Sequence, residues 1–108
     1  MPKTEYLQGA LDLLILKTLA LGANHGWGIQ QRIRQVSQET LNVSQGSLYP
    51  ALHRLEARGL VSSAMSPSDN NRKARFYTLT AAGRRRLRDE SADWEVFSLA
   101  IRRLLELA

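Results

Sequence analysis

Three features of the sequence predict a mainly α fold that carries one small β-hairpin. Leu48, Ala51, Leu52 and Leu55 stand at i, i+3, i+4 and i+7 and so form a single helical stripe. The turn-forming run Ser66-Pro-Ser-Asp-Asn-Asn71 separates two segments of strand-forming residue types. Leu87, Trp94 and Ile101 recur every seven residues near the end of the chain, the period of a helix that packs along another helix.

The first helix is expected from Tyr6 to about Leu21. Leu7, Leu11, Leu14, Thr18 and Leu21 keep one helical row, while Leu13, Leu16 and Ala20 are apolar on another side. A helix apolar nearly all round is buried on both sides, and in a small domain a second subunit can supply the second surface. Gly22 should end it, and Asn24-His25-Gly26 should make the turn. The second helix is expected over about Trp27 to Ser37, with Ile29, Ile33 and Val36 toward the core and Gln30, Gln31, Arg32 and Arg34 toward water.

Thr40 to Val43 connects to the third helix, for which Ser44 is the candidate N-cap because its hydroxyl can accept from the unpaired amides of the first turn. Those amides can equally receive a phosphate. Opposite the leucine stripe lie Gly46, Pro50, His53 and Ala57, flanked by Ser47, Tyr49 and Arg54. Such a low face, with donors along its edges, can approach the floor of a DNA groove. Pro50 conflicts with a regular helix, since it lacks a donor and crowds the carbonyl four residues back. Gly46 occupies that position, so the first turns should bend or tighten.

Gly59 should close the third helix. Leu60 to Met65 and Arg75 to Leu79 are the hairpin strands, and Thr80 can cap a last helix running from Ala81 almost to the C-terminus. In that helix Phe97 and Leu104 form a row beside Leu87, Trp94 and Ile101, joined by Leu105. This order is that of a winged helix-turn-helix, residues 1–80, followed by a C-terminal dimerisation helix, residues 81–108, the two forming one structural unit.

The chain has 108 residues, 44% of them hydrophobic and only 6% aromatic, enough for one modest core. No apolar run approaches the roughly 18 residues of a membrane span, and the first residues lack a signal-peptide layout, so a cytoplasmic protein without membrane contact is expected. The absence of cysteine excludes disulfides and thiolate zinc sites. His25 and His53 have no partner at ligand or triad spacing and the glycines form no phosphate loop, so no enzymatic activity, cofactor or metal is expected. The net charge is +5, and Arg72, Lys73, Arg75, Arg84, Arg85, Arg86 and Arg88 follow one another with no acidic residue among them. Such a run can be no more than a solvated basic face, but its concentration in one part of the chain, next to the third helix, points to a polyanion.

The sequence also resembles the PadR-type bacterial transcriptional regulators over nearly its whole length. The resemblance is carried by Gly9-Ala-Leu-Asp-Leu-Leu-Ile-Leu16, His25-Gly-Trp-Gly-Ile29, Gly46-Ser-Leu-Tyr-Pro-Ala-Leu-His-Arg-Leu-Glu56, Gly59-Leu-Val61 and Arg75-Phe-Tyr-Thr-Leu-Thr-Ala-Ala-Gly83. The single C-terminal helix is similar to the compact branch of that family. The resemblance implies a homodimer in which the last helix packs on the first and last helices of the partner, and repression by occupying a palindromic operator in double-stranded DNA. It further implies that the third helix enters the major groove while the wing lies along the flanking backbone.

On this reading Ser44, Gln45, Ser47 and Tyr49 are the candidates for base contact, with Gln45 foremost because an amide can pair with both edge groups of adenine. Arg72, Lys73 and Arg75 are the candidates for phosphate contact, and Arg54 is a further one. Tyr49 can alternatively pack on the second helix as a half-buried aromatic. In some compact relatives a small aromatic compound binds between the subunits, and Trp94 with Phe97 lies in the corresponding stretch; the plainer alternative is that Trp94 fills the dimer core. A reading of another class stays open, in which the winged helix docks an acidic protein without reading DNA.

Overall fold

The computed structural model describes residues 4–68, 70 and 72–107, with side chains from Ala10 onward. Asp69 and Asn71 of the turn run lie outside the described residues, as does the side chain of Leu7. Helix α1 spans Thr4–Ala20, the short strand β1 Asn24–His25, α2 Gly26–Val36, α3 Gln45–Ala57, β2 Val61–Pro67, β3 Lys73–Leu79 and α4 Ala81–Leu105. The strands form one antiparallel sheet in the order β1-β3-β2.

The first three helices surround a core made by Leu11, Ile15, Leu16 and Leu19 of α1, Ile29 and Ile33 of α2, and Leu48, Ala51, Leu52 and Leu55 of α3. Val43, Leu60, Val61, Tyr77 and Leu79 close it from the connecting loop and the sheet. The stripe of α3 is therefore as expected. Of the row expected on α1, Leu11 and Thr18 are buried and Leu14 packs on the core in part, but Ile15 and Leu19, outside that row, are buried as well, and Leu21, past the helix end, is exposed. Thr18 is buried within that row, and its hydroxyl donates to the Leu14 carbonyl at 2.7 Å.

Val36 is 71% exposed, contrary to the inward position its spacing suggested. The helix ends at this residue, and Gln38 and Glu39 follow with φ of 53° and 65°, so the chain turns away before a third core position can form. Arg32 does not simply face water either. Its guanidinium donates to the Thr18 carbonyl at 2.9 Å and the Gly22 carbonyl at 3.1 Å, satisfying the acceptors left at the end of α1.

The segment Asn24–His25, expected as a turn, is instead a short strand, pairing Asn24 with Tyr77 and His25 with Phe76, and Gly26 already opens α2. The expected hairpin thus acquires a third strand, which leaves β3 in the centre and β2 at an edge. Pro67 ends β2, where a missing donor costs little. The hairpin is longer than its residue types suggested, with register running from Val61 opposite Leu79 to Pro67 opposite Lys73.

Gly59, with φ of 73°, closes α3 in a reciprocal cap: its amide donates to the Glu56 carbonyl at 3.0 Å and the Leu60 amide to the Leu55 carbonyl at 3.0 Å. Thr80 caps α4 by accepting from the Gly83 amide at 3.0 Å, while its hydroxyl approaches the Gly59 carbonyl at 2.7 Å. One residue thus joins the end of α3 to the start of α4.

Helix α4 starts against the core, with Gly83 buried and Ala82 and Leu87 packed on it, and lies along α1. Its 25 residues reach roughly 37 Å at 1.5 Å per residue, which accounts for extents of 56 × 28 × 21 Å. Beyond Leu87 its apolar row stands in the open: Trp94, Phe97, Ile101, Leu104 and Leu105 are all exposed. Leu13, on the second apolar side of α1, shares a cleft with Trp94 and Phe97, so this side meets the chain's own last helix.

Candidate nucleic-acid interface

Helix α3 presents the face that the leucine stripe leaves outside. Gly46, Pro50, His53 and Ala57 are all exposed. The helix runs unbroken through Pro50. The carbonyl that loses its donor belongs to exposed Gly46, where water can replace the bond, and the Ser47 amide tightens the first turn by donating to the Ser44 carbonyl at 3.2 Å. Ser44 is the N-cap, its hydroxyl oxygen accepting from the Ser47 amide at 3.1 Å; the two hydroxyls are also 3.1 Å apart.

The two edges of this face differ. On one side the Arg54 guanidinium pairs with the Asp12 carboxylate of α1 at 2.7 Å. On the other, the Gln45 amide nitrogen donates to the Gln30 side-chain oxygen, and Gln30 in turn donates to the Val43 carbonyl at 2.7 Å. Tyr49 lies on this second edge. It is 42% exposed, and its ring rests against the start of α2: a Cβ on Gly26 would stand 2.8 Å from the Tyr49 hydroxyl. Packing and exposure therefore coexist at Tyr49.

Across from Tyr49 stands the wing. An open cleft of about 450 Å³ is lined by Tyr49, by His25 and Trp27 of the α2 entrance, and by Arg72, Lys73 and Arg75. The His25 ring is held edge-on to Phe76, with centroids 5.0 Å apart, and its Nδ1 accepts from the Gly28 amide at 3.0 Å. Trp27 is 62% exposed beside it. The wing is braced to α3 through Ser63, whose hydroxyl donates to the Glu56 carboxylate at 2.6 Å and accepts from the Arg75 guanidinium at 3.0 Å. Arg72 and Lys73 are exposed, and the basic run continues into α4, where Arg86 pairs with Glu90 at 3.5 Å.

The structure thus brings Tyr49, Arg72, Lys73 and Arg75 around one cleft, sets Ser44, Gln45 and Ser47 at the head of α3, and turns Arg54 toward α1. Trp27, Gln30, Glu56 and Ser63 belong to this region and were not among the expected residues. Trp27 carried a signal, because it falls opposite Ile29 and Ile33 on the helical wheel and cannot face the core with them. The other three join the region through tertiary bonds that no spacing announces.

Trp94 and Phe97 lie with ring centroids 5.9 Å apart and line a second cleft, of about 390 Å³, with Leu13, Glu90 and Asp93. Among the described residues no cluster of histidine or carboxylate side chains could hold a metal ion, and no helix is long and apolar enough to cross a membrane.

A trihelical core whose third helix shows a flat outer face beside a cationic two-stranded wing defines the winged helix-turn-helix class of DNA-binding transcriptional regulators. Within that class the chain belongs to the PadR-like transcriptional regulator family, whose model matches residues 15–89. It is similar to the transcriptional regulator Rv3488 of Mycobacterium tuberculosis, with 40% identity over 86 residues, 80% of this chain and 77% of that one. A PadR family transcriptional regulator from Eggerthella lenta has the same fold at a TM-score of 0.79 and 27% identity, covering 96% of this chain and 88% of that one. A transcriptional regulator from Clostridium thermocellum superposes at a TM-score of 0.87 with 24% identity, over 98% of this chain and 100% of that one.

Proposed function

We propose that the protein represses transcription by binding a palindromic operator as a homodimer. Ser44, Gln45, Ser47 and Tyr49 meet base edges in the major groove, and Arg72, Lys73 and Arg75 grip the flanking phosphates, joined by Trp27 at the mouth of the cleft. The observation that carries this reading is the pairing of a bare helix face with a basic, aromatic-lined cleft on its flank. Arg54 contributes only where its pair with Asp12 opens. Residues 81–108 serve as the dimerisation helix of a unit whose reading part is residues 1–80. The exposed row of α4 supports the dimer, because a lone subunit would leave several large apolar side chains in water along one helix. Two α3 helices related by a dyad read half-sites roughly 34 Å apart.

Selection from a random DNA pool tests this reading. The expected result is a two-fold symmetric site, with Arg75→Ala weakening operator and random DNA alike and Gln45→Ala flattening preference at one base pair in each half-site. Retention on heparin without any selected sequence would instead fit docking to an acidic protein. An effector at the dimer interface fits the Trp94 and Phe97 cleft, and the Asp93 carboxylate on its wall, with Glu90 already paired to Arg86, favours a planar compound with positive charge.

A further inference from the structure

We propose that Gln30, on α2 and away from the bare face of α3, is a positioning residue that fixes which edge of the Gln45 amide is offered to DNA. The inference rests on Gln45 as a base-reading residue and adds what makes it selective. Hydrogen-bond polarity sets the orientation. A backbone carbonyl can only accept, so the end of the Gln30 amide lying 2.7 Å from the Val43 carbonyl is its NH2. Its oxygen is thereby turned toward Gln45, and an oxygen there can only be met by a donor. The end of Gln45 facing Gln30 is therefore its own NH2 group.

Two amides, each free to flip in isolation, are thus set in one orientation by one main-chain acceptor. Gln45 keeps its oxygen and one N–H for a partner outside the protein. That is the donor and acceptor pair that matches N7 and N6 of adenine in the major groove. The anchor also lies in a place suited to it. Val43 is buried, and its carbonyl sits in the connection between α2 and α3, so the chain Val43, Gln30, Gln45 ties the reading amide to the rigid corner of the helix-turn-helix. An amide without this tether would present either edge and would lose more conformational entropy on binding.

The test compares Gln30→Met, which keeps length and helix propensity but removes both bonding ends, with Gln45→Ala and with the double variant, all in the full chain. Base preference is read at every operator position by competition with single-substitution duplexes, and affinity for random DNA is measured alongside. In the parent protein a two-point amide contact should give about ten- to hundredfold preference for adenine at one position of each half-site. Gln30→Met is expected to lower that preference to within about threefold, leave random-DNA affinity unchanged, and add nothing when Gln45 is already alanine. Preference retained in Gln30→Met but lost in Gln45→Ala overturns the role of Gln30 and leaves base reading by Gln45 standing. Preference unchanged in Gln45→Ala overturns both. A uniform loss on all DNA in Gln30→Met and in the second variant Gln30→Leu, with base order intact, makes Gln30 a packing residue and also overturns the proposal.

Discussion

The Arg54 guanidinium of α3 lies 2.7 Å from the Asp12 carboxylate of α1. This pair joins the helix with the bare face to the helix along which α4 runs. It also holds on the protein a cation that sequence spacing offers to DNA. Both side chains are partly exposed, at 46% and 29%, so the pair is worth well under 1 kcal/mol to stability and can open when a phosphate competes.

Asp12→Asn is therefore expected to leave thermal stability nearly unchanged and to release Arg54. Affinity for random DNA should rise by about two- to fivefold at low salt, and the plot of log affinity against log salt should steepen by about 0.9 for each further phosphate that the freed guanidinium neutralises. An unaltered slope in Asp12→Asn would mean that Arg54 stays clear of the backbone even when unpaired.

Gly83 sits where the first turn of α4 crosses the end of α3 and the start of β2. An added Cβ would press on the Leu60 carbonyl oxygen and lie 2.6 Å from Leu79 Cδ1, and a main-chain atom cannot swing aside. Gly83→Ala is expected to lower stability by about 1–3 kcal/mol in denaturant titration despite the better helix propensity of alanine. A rise in stability would show that α4 can lift off β2 at little cost.

Tyr77 is buried at the centre of the sheet, and desolvation pushes its hydroxyl above the ordinary tyrosine range, with the Glu56 carboxylate adding to the effect and Arg75 opposing it. The native state then holds its proton where the unfolded chain gives it up. This contribution is fully present below about pH 10 and is lost as pH rises through the raised value. Stability should fall in that alkaline window, and Tyr77→Phe should flatten the fall; an identical alkaline limb in the phenylalanine variant would assign the loss to other groups.

Leu104 and Leu105, at 66% and 79% exposed, extend the apolar row of α4 where none of the described residues covers them. Leu104→Glu places a charge in the proposed seam between subunits. Since burying one such side chain is worth about 1.5–3 kcal/mol, the variant should dissociate at least about tenfold more readily in sedimentation equilibrium while its circular dichroism stays that of the parent. A parent protein that sediments as a single subunit at micromolar concentration would refute the seam.

The chain holds two tryptophans, Trp27 in the basic cleft and Trp94 in the acidic one. A planar cationic dye should quench saturably through Trp94, and the signal should vanish in Trp94→Ala and survive in Trp27→Phe. Quenching unchanged by Trp94→Ala would leave that residue as dimer packing alone.

What the sequence determined by itself was whatever depends on near neighbours along the chain. The stripe of Leu48, Ala51, Leu52 and Leu55, the caps at Ser44 and Thr80, the closing Gly59 and the hairpin are all legible because spacing of three, four or two residues sets which side chains share a face and which amides lack partners. The same locality made the family motifs readable. Tertiary structure alone decided the rest. Asn24–His25 becomes a strand only because β3 passes beside it, and two residues carry no period. Val36 and Leu21 lie outside because their helices stop there, and helical spacing tells which residues share a face without telling where that face ceases to be covered. Arg54 turns to Asp12, 42 residues away, and Gln45 is bound to Gln30. Polar side chains of this kind choose partners by where the backbone brings them, and hydrogen-bond polarity, unlike hydrophobic periodicity, leaves no trace in the order of the residues.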